Sequence, residues 1–340
     1  MKLVARFAVL AVAANGLYGQ TPSVSAETAR LVFQAAPSRG GSVAQQVDGA
    51  VKQLKKAGQV VKLRAFVTTG TDANAVTAAI DKAFSAKARP VVSVVQIGRL
   101  PDAGAVVLLE GVAVSKKIEN PNGLAFISGQ LTQAAAGDSK TAVAPLAERS
   151  VANLKTLAAG IAVDPADVVR VDCFTSSVED HAQVQAVVSG TFPKASVSVM
   201  QIQRVPANHF VECDAVGRLH EKSPDAVRLV NPTQAAFAQS AIVTAPKVIF
   251  TTIFPSTSND DAGVRSALRK MKSAVETGGS SADRIFYVYA YPGNQAMLDT
   301  FRALRFEFLV RAMAPASTNL VFEGAAGAML GVDAIAVPLK

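Results

Sequence analysis

Hydrophobic and polar residues alternate along short stretches of this chain, and the alternation predicts β-strands. Residues 60–68 are the clearest case, because successive side chains of a strand point to opposite faces of its sheet. One face carries Val61, Leu63, Ala65 and Val67, and the other carries Lys62, Arg64, Phe66 and Thr68. We expect the first face to take the helices of its own unit and the second to be buried against another part of the chain.

Apolar residues at helical spacing predict amphipathic helices between these strands. In the segment 264–275 they recur at steps of four, three and four, which lines one helical face ahead of two glycines. The three helices of this kind carry Val264, Leu268, Met271 and Val275 before Gly278, Val47, Val51 and Leu54 before Gly58, and Val151, Leu154 and Leu157 before Gly160. Each is expected to pack on a sheet of its own unit, and a further helix is predicted over residues 295–310 of the third repeat.

The order strand, helix, strand, helix, strand, strand occurs three times, each time in roughly 100 residues. Residues 95–101 read VQIGRLP and residues 200–206 read MQIQRVP, an agreement too specific for chance, whereas the third copy has diverged further. The repeats predict an α+β protein with three tandem domains, at residues 24–115, 122–220 and 232–340. The segments between them are short and each contains Asn-Pro, which favours one compact body.

The first twenty residues are typical of a secretory signal peptide. Lys2 and Arg6 precede a brief apolar run at 7–14, and a polar stretch follows from residue 21. Residues 1–20 are therefore predicted to be a signal peptide, and the protein to be periplasmic or secreted; an N-terminal core helix is the alternative. No other segment has about twenty uninterrupted apolar residues, so no stable membrane span is expected.

Charge and composition exclude several classes of function. Lys and Arg exceed Asp and Glu by 8, but they are dispersed, and no basic run resembles a nucleic-acid-binding arm. The three histidines are not placed at ligand spacing with carboxylates, so no metal site is predicted. Cys173 and Cys213 fall in two strands of one unit; they are either packed thiols or, in an exported chain, one disulfide.

The three repeats resemble the Rid family, also called YjgF, over about 300 residues as three tandem copies. The resemblance rests on Ser128-Gly129-Gln130, on the Asn-Leu-Lys helix at 153–155 ending at Gly160, and on the strand 168–174; residues 237–240 also look like the family's opening motif. It implies a chorismate-mutase-like α+β unit that assembles as a homotrimer with clefts between subunits. Three tandem copies then imply an intramolecular pseudo-trimer, a monomer acting as an internal trimer.

The resemblance also implies a chemistry, the hydrolysis of enamines and imines such as 2-iminopropanoate, which needs no metal and no organic cofactor. The family binds the substrate carboxylate with an arginine in a Pro-x-Arg-[Ser/Thr] motif. Val92, Val197 and Ser317 stand at that position here, so no arginine is expected beside the acids that remain. Those candidate acids are Glu110, Asp214 and Asp333, and the other candidate substrate contacts are Ser128, Gln130 and Thr252.

Three functions remain open. The first is an exported Rid-like protein that binds a small molecule in clefts between its domains without the usual deamination. The second is a cofactor-free deaminase of enamines and imines whose cation has been relocated, with Arg89 and Lys194 as possible substitutes. The third is a structural or chaperone-like envelope protein, suggested by the signal-like N-terminus and the apolar composition.

Overall fold

The computed structural model describes residues 22–135, 142–230, 237–256, 258–325 and 327–339. The predicted signal peptide, the Asn-Pro at 231–232 and the start of the third predicted domain lie outside these residues. None of the helices in the described ranges is long and apolar enough to cross a membrane.

Sixteen strands and six α-helices are found in the described residues. The strands are β1 Ser23–Glu27, β2 Leu31–Pro37, β3 Gln59–Val67, β4 Val91–Gln96, β5 Val107–Val114, β6 Leu124–Gln133, β7 Val168–Thr175, β8 Ser196–Gln201, β9 Phe210–Arg218, β10 Val227–Val230, β11 Ser240–Val243, β12 Lys247–Thr251, β13 Phe254–Pro255, β14 Ile285–Pro292, β15 Ala316–Asn319 and β16 Leu330–Ala336. The α-helices are α1 Val43–Lys55, α2 Gly70–Ala83, α3 Val143–Gly160, α4 His181–Thr191, α5 Asp261–Thr277 and α6 Gln295–Leu304. Short 3-10 helices occupy Thr28–Arg30, Ala86–Ala88, Pro165–Asp167, Ala282–Arg284, Arg305–Glu307 and Arg311–Met313.

The strands form three sheets with one repeated order. The first sheet is β2-β5-β3-β4, the second contains β6-β9-β7-β8, and the third contains β12-β16-β14-β15. In the first sheet β5 lies between β2 and β3 and is antiparallel to both, and β3 pairs in parallel with β4. The four strands named for each of the other two sheets are arranged in the same way. We call residues 31–114, 124–218 and 247–336 the first, second and third units. The mixed α+β class with three sheets is confirmed.

Strands from outside each unit extend two of the sheets. β1 precedes the first unit in the chain but pairs with β12 of the third unit. β11 precedes β12 in the chain but pairs with β6 of the second unit, and β10 extends that sheet further. β10 lies between the predicted second and third domains, so the segment that the sequence predicts as a linker contributes a strand. Backbone hydrogen bonds join neighbouring units through these exchanged strands.

The predicted helix faces are buried against their own sheets. α1 and α2 cover the first sheet, α3 and α4 the second, and α5 and α6 the third, each pair around its own hydrophobic cluster. The helix predicted over 295–310 ends at Leu304, where the Arg305 guanidinium folds back to donate to the Arg302 carbonyl. Gly58 follows α1 with φ of +147°, and a Cβ there would overlap the Val114 carbonyl, so glycine is required at this corner.

The opposite faces of all three sheets share one central hydrophobic cluster. Aromatic rings of different units touch there, as in Phe33 with Phe126 and Phe66 with Phe174. The expectation that the second face of 60–68 is buried is confirmed for Lys62, Arg64 and Phe66. The face predicted for Val61 is wrong, because a register irregularity between Val60 and Lys62 turns its side chain into the central cluster.

The two cysteines form a disulfide between β7 and β9 of the second unit. Cys173 and Cys213 are directly opposite in the antiparallel register, their Cα atoms are 4.2 Å apart, and both are fully buried. The bridge closes a loop whose ends are 40 residues apart in sequence, which restricts the unfolded chain.

We expect the double variant Cys173→Ala with Cys213→Ala to lose about 2–4 kcal/mol of unfolding free energy. Urea unfolding of oxidised wild type and of the double variant measures this difference. The control is the double variant with and without reductant, which should unfold identically. A double variant as stable as the oxidised wild type would show that the bridge does not contribute.

Candidate functional site

The three predicted acids do not line open clefts. Glu110, Asp214 and Asp333 occupy one register position in the three sheets, opposite Arg64, Asp172 and Tyr289 respectively. All three are buried where the units meet. With their partners they form what we call the central charge cluster: Lys62, Arg64, Glu110, Arg170, Asp172, Asp214 and Asp333.

Lys62 connects the first unit to the third. Its Nζ donates to Asp333 Oδ2 at 2.8 Å and to the Thr251 carbonyl at 2.7 Å, and also to Ser93 Oγ of its own unit at 2.7 Å. The Ser93 hydroxyl donates in turn to Asp333. Burial lowers the pKa of Lys62, and the Asp333 carboxylate opposes that shift. A buried lysine is thus satisfied by three acceptors from two units.

The two arginines connect the second unit to its neighbours. Arg64 of the first unit contacts both Glu110 and Asp172. Arg170 contacts Asp214 Oδ1 at 2.9 Å and donates to the Tyr289 hydroxyl of the third unit at 2.7 Å. Thr318 of the third unit donates to the other oxygen of Asp214 at 2.8 Å. Every pair of units is therefore joined through buried polar groups.

The expectation that no arginine lies beside the remaining acids is wrong. Arg64 lies beside Glu110 and Arg170 beside Asp214, because both arginines come from the strand between the helices rather than from the motif position.

The central charge cluster holds three cations and four carboxylates. Burial raises the pKa of Glu110 to about 7, Arg64 opposes this and Asp172 adds to it. The cavity here has a volume of about 30 Å³, which is room for one or two waters and too small for an imino acid.

An open cleft of about 850 Å³ lies between the second and third units, and we call it the Glu212 cleft. β6 of the second unit contributes Ser128 and Gln130, and β15 of the third unit contributes Ser317. Three of the predicted substrate contacts therefore share one cleft. Phe237 of the 237–240 motif also lines it, and residues that the sequence did not single out complete it: Glu212, Asn294, Arg302, Asn319 and Leu298.

Glu212 is the acid of this cleft. Its side chain lies over Gly129, where any Cβ would overlap the carboxylate, so the glycine of the Ser-Gly-Gln motif makes room for it. Gly129 sits at a register irregularity of β6 opposite Asp214. Burial raises the pKa of Glu212 to about 8, Asp214 adds to the shift, and Arg302 opposes it. A pKa this close to neutrality lets the carboxyl donate a proton and take one back.

The other predicted contacts are distributed differently. The Ser128 hydroxyl donates to the Ala238 carbonyl at 2.6 Å and accepts from the Ser317 amide at 2.9 Å, which holds the cleft walls together. Thr252 donates to the Val92 carbonyl at 2.5 Å across the junction of the third and first units. Val92 itself is packed in the core of the first unit, and Val197 lines a separate cleft.

The register relates the three junctions to one another. Leu108, Glu212 and Gly331 stand opposite Phe66, Phe174 and Tyr291, so they are equivalent positions. Val92, Val197 and Ser317 are likewise equivalent, opposite Leu63, Val171 and Val288. Only the second unit has an acid at the Glu212 position. Asp214, two residues along the same face, is the acid that the sequence predicts for a cleft; the structure places it in the central charge cluster instead.

A second cleft, of about 510 Å³, lies between the first and second units. We call it the Leu108 cleft, because Leu108 replaces the acid there and Val197 stands opposite in the place of Ser317. Its other lining residues include Leu100, Val199, Ser38, Arg39, Asp102 and His181.

One group of possible metal ligands lies at the surface, although the sequence spacing did not suggest it. His220 Nε2 is 3.0 Å from Asp167 Oδ2 and 3.3 Å from Asp164 Oδ2. The three residues meet because the loop after α3 lies beside the end of β9. All three are at least partly exposed, and the group is also accounted for as a surface ion pair.

Comparison with known proteins supports the resemblance for the second unit. Residues 113–219 match the model of the family described as Endoribonuclease L-PSP, which corresponds to YjgF and Rid. No curated protein matches the chain. Similar solved structures include YEO7 from yeast, with 17% identity over 34% of this chain and 98% of that one and a TM-score of 0.26. A YjgF-family protein from Mycobacterium tuberculosis has 12% identity over 33% and 99% with a TM-score of 0.25, and E. coli TdcF with bound serine has 20% identity over 32% and 91% with a TM-score of 0.25.

Proposed function

We propose that this protein is a Rid-like small-molecule-binding protein whose three tandem units form an internal pseudo-trimer with one polar binding site, the Glu212 cleft. The family match of the second unit and the repeated sheet order support the arrangement. The single observation that carries the choice of site is the buried Glu212 carboxyl, which faces an open cleft shared by two units. No metal or organic cofactor is part of this proposal.

The cleft favours a small carboxylic acid with an apolar portion. Arg302 is the cation whose charge acts on Glu212, and its guanidinium takes part in no ion pair within the described residues. It can bind a ligand carboxylate from α6, although the strand position holds Ser317. Leu131 and Val205 at the rim are 42% and 89% exposed, so an apolar group of the ligand has surface to cover.

We expect pyruvate or another member of a panel of small acids, amines and carbonyl compounds to raise the unfolding temperature of the wild type. Arg302→Met should weaken binding of the carboxylate about tenfold or more, since it removes a charge-assisted contact. Isothermal titration calorimetry with pyruvate and with its amide measures this effect, and the amide should be insensitive to the substitution.

The matched control is Arg149→Met, which removes an exposed arginine of α3 that does not line the cleft. Its affinity for pyruvate should equal that of the wild type. The proposed site is refuted if no panel compound binds, or if Arg149→Met and Arg302→Met weaken binding equally.

A second candidate function is the cofactor-free deaminase with a relocated cation, and Arg302 is the observation in its favour. The protonated Glu212 can give its proton to the imine nitrogen while water adds to the imine carbon, and the carboxylate so formed takes a proton from that water. The carboxyl then protonates the amine nitrogen of this carbinolamine, the carbon–nitrogen bond breaks as the hydroxyl proton returns to the carboxylate, and a keto acid and ammonia leave. Decay of 2-iminopropanoate generated in solution, timed with wild type, Glu212→Gln and no protein, distinguishes the two functions. Equal decay in all three samples argues for binding alone.

Export to the periplasm or outside the cell is part of the proposal. The Cys173–Cys213 bridge supports it, because structural disulfides persist in oxidising compartments. Fractionation of cells that express the full chain, with mass measurement of the mature N-terminus, tests this localisation. A cytoplasmic protein that keeps residues 1–20 would contradict it.

A further inference from the structure

We propose that the Leu108 cleft is a second ligand site, and that it takes a small aliphatic carboxylate. It lies at a different junction from the Glu212 cleft, between the first and second units, so the two proposals stand or fall separately. Its walls are more strongly apolar than those of the Glu212 cleft, so it is the better site for a longer hydrocarbon chain.

The two clefts are built from equivalent strand positions but have opposite chemistry. Leu108 stands where the other cleft has Glu212, and Val197 stands where it has Ser317. The Leu108 cleft thereby has neither an ionisable group nor a hydroxyl at the two positions that define the polar site. Apolar side chains at these two positions suit a hydrocarbon chain of a ligand, because a charged or hydrated ligand group would lose its water there without gaining a hydrogen bond.

The walls and size of the cleft are those of a small-molecule site. Leu100, Leu108 and Val199 are buried apolar residues that line it, and its volume of about 510 Å³ lies in the range of about 300–1,000 Å³ typical of ligand pockets. Mostly apolar walls with a few polar groups are the usual composition of such pockets.

The polar groups favour an anionic end on the ligand. The Ser38 hydroxyl is buried and has no hydrogen-bond partner among the described residues, and Arg39 beside it is exposed and takes part in none of the ion pairs described. Both line the cleft and both can donate to a carboxylate. The one carboxylate of the lining, Asp102, already accepts from the Gly104 amide at 2.8 Å, and His181 Nδ1 lies 3.1 Å from the Val178 carbonyl.

Calorimetric titration of the full mature chain with butanoate, hexanoate and octanoate tests the proposal. Affinity should rise about fourfold for each added methylene, as expected for a chain buried against apolar walls.

Val197→Asp should weaken octanoate binding at least tenfold, because it puts a charge in the apolar wall. Arg39→Gln should weaken octanoate about tenfold and leave octan-1-ol unchanged, since only the carboxylate uses the guanidinium.

Two control variants change exposed residues that line neither cleft, Ile118→Asp as the match for Val197→Asp and Arg149→Gln as the match for Arg39→Gln, and both should leave octanoate binding unchanged. If octanoate instead occupies the Glu212 cleft, Arg302→Met should weaken its binding and Arg39→Gln should not. Thermal unfolding verifies that Val197→Asp is folded, and the surface change Arg39→Gln tests the same cleft without risk to the fold. Absence of saturable octanoate binding to the wild type, binding equal in the wild type and both cleft variants, or weakening by Arg302→Met rather than by Arg39→Gln overturns the proposal.

Discussion

Replacing Arg64 with methionine is expected to lower the free energy of unfolding by about 3–5 kcal/mol. Arg64 is 4% exposed and contacts carboxylates of two units, Glu110 and Asp172. Methionine fills part of the same space but leaves both carboxylates buried without that counter-charge. Removing one partner of a buried ion pair costs far more than the pair contributes as a whole, because the remaining charge keeps its desolvation penalty. Urea unfolding at pH 7 measures the loss.

A paired substitution tests this explanation. Lys62→Met combined with Asp333→Leu removes both members of the contact between the first and third units, whereas Lys62→Met alone leaves Asp333 uncompensated. The double variant should therefore be more stable than the single variant.

The control for Arg64→Met is Arg269→Met, at an exposed position on α5, which should change the free energy of unfolding by less than about 0.5 kcal/mol. If Arg64→Met behaves like Arg269→Met, the central charge cluster does not hold the units together.

Local pattern was enough to predict the main helices and strands within each unit and their class. The apolar face at Leu63, Ala65 and Val67 and the apolar spacing of α5 reflect contacts made within one unit, so the sequence near each element already contains the information. The same holds for the repeated order of elements. The predicted end of α6 lies too late because the chain tightens after Leu304 into a 3-10 helix at Arg305–Glu307, a change that the sequence pattern does not indicate.

The candidate site depended on contacts that local pattern does not specify. Lys62 and Asp333 are separated by 271 residues, and nothing near either residue identifies its partner. Likewise Glu212 and Asp214 occupy the same face of β9 two residues apart. Which of them enters a cleft is decided by the irregularity of β6 at Ser128-Gly129 and by the approach of the third unit.

The exchanged strands show the same limit. Residues 240–243 read as the beginning of the third unit because they precede β12 directly in the chain. They pair with β6 instead, and β1 pairs with β12 in a similar way. A strand does not specify from its own residues which of three similar sheet edges it will join, so the partner follows from how the units sit against one another.

The stability difference between Glu212→Gln and the wild type is expected to grow with pH. The pKa of Glu212 is raised from 4.5 to about 8 by burial, so between these values the folded protein holds a proton that the unfolded chain has released. The contribution of Glu212 to the free energy of unfolding of the wild type is therefore fully present below pH 4.5 and is lost as the pH rises to about 8. Glutamine keeps the shape and does not titrate, so it avoids this loss, which reaches at most about 4–5 kcal/mol above pH 8.

Urea unfolding at pH 5, 7 and 9 measures this effect as the difference between the variant and the wild type, since other groups titrate equally in both. Little difference is expected at pH 5, and the variant should be clearly the more stable at pH 9. Glu148→Gln, on the exposed face of α3, should show no such trend. A difference that is flat with pH, or that favours the wild type at pH 9, would mean that Glu212 is ionised in the folded protein. The cleft would then lack the neutral carboxyl that distinguishes it from the other two junctions.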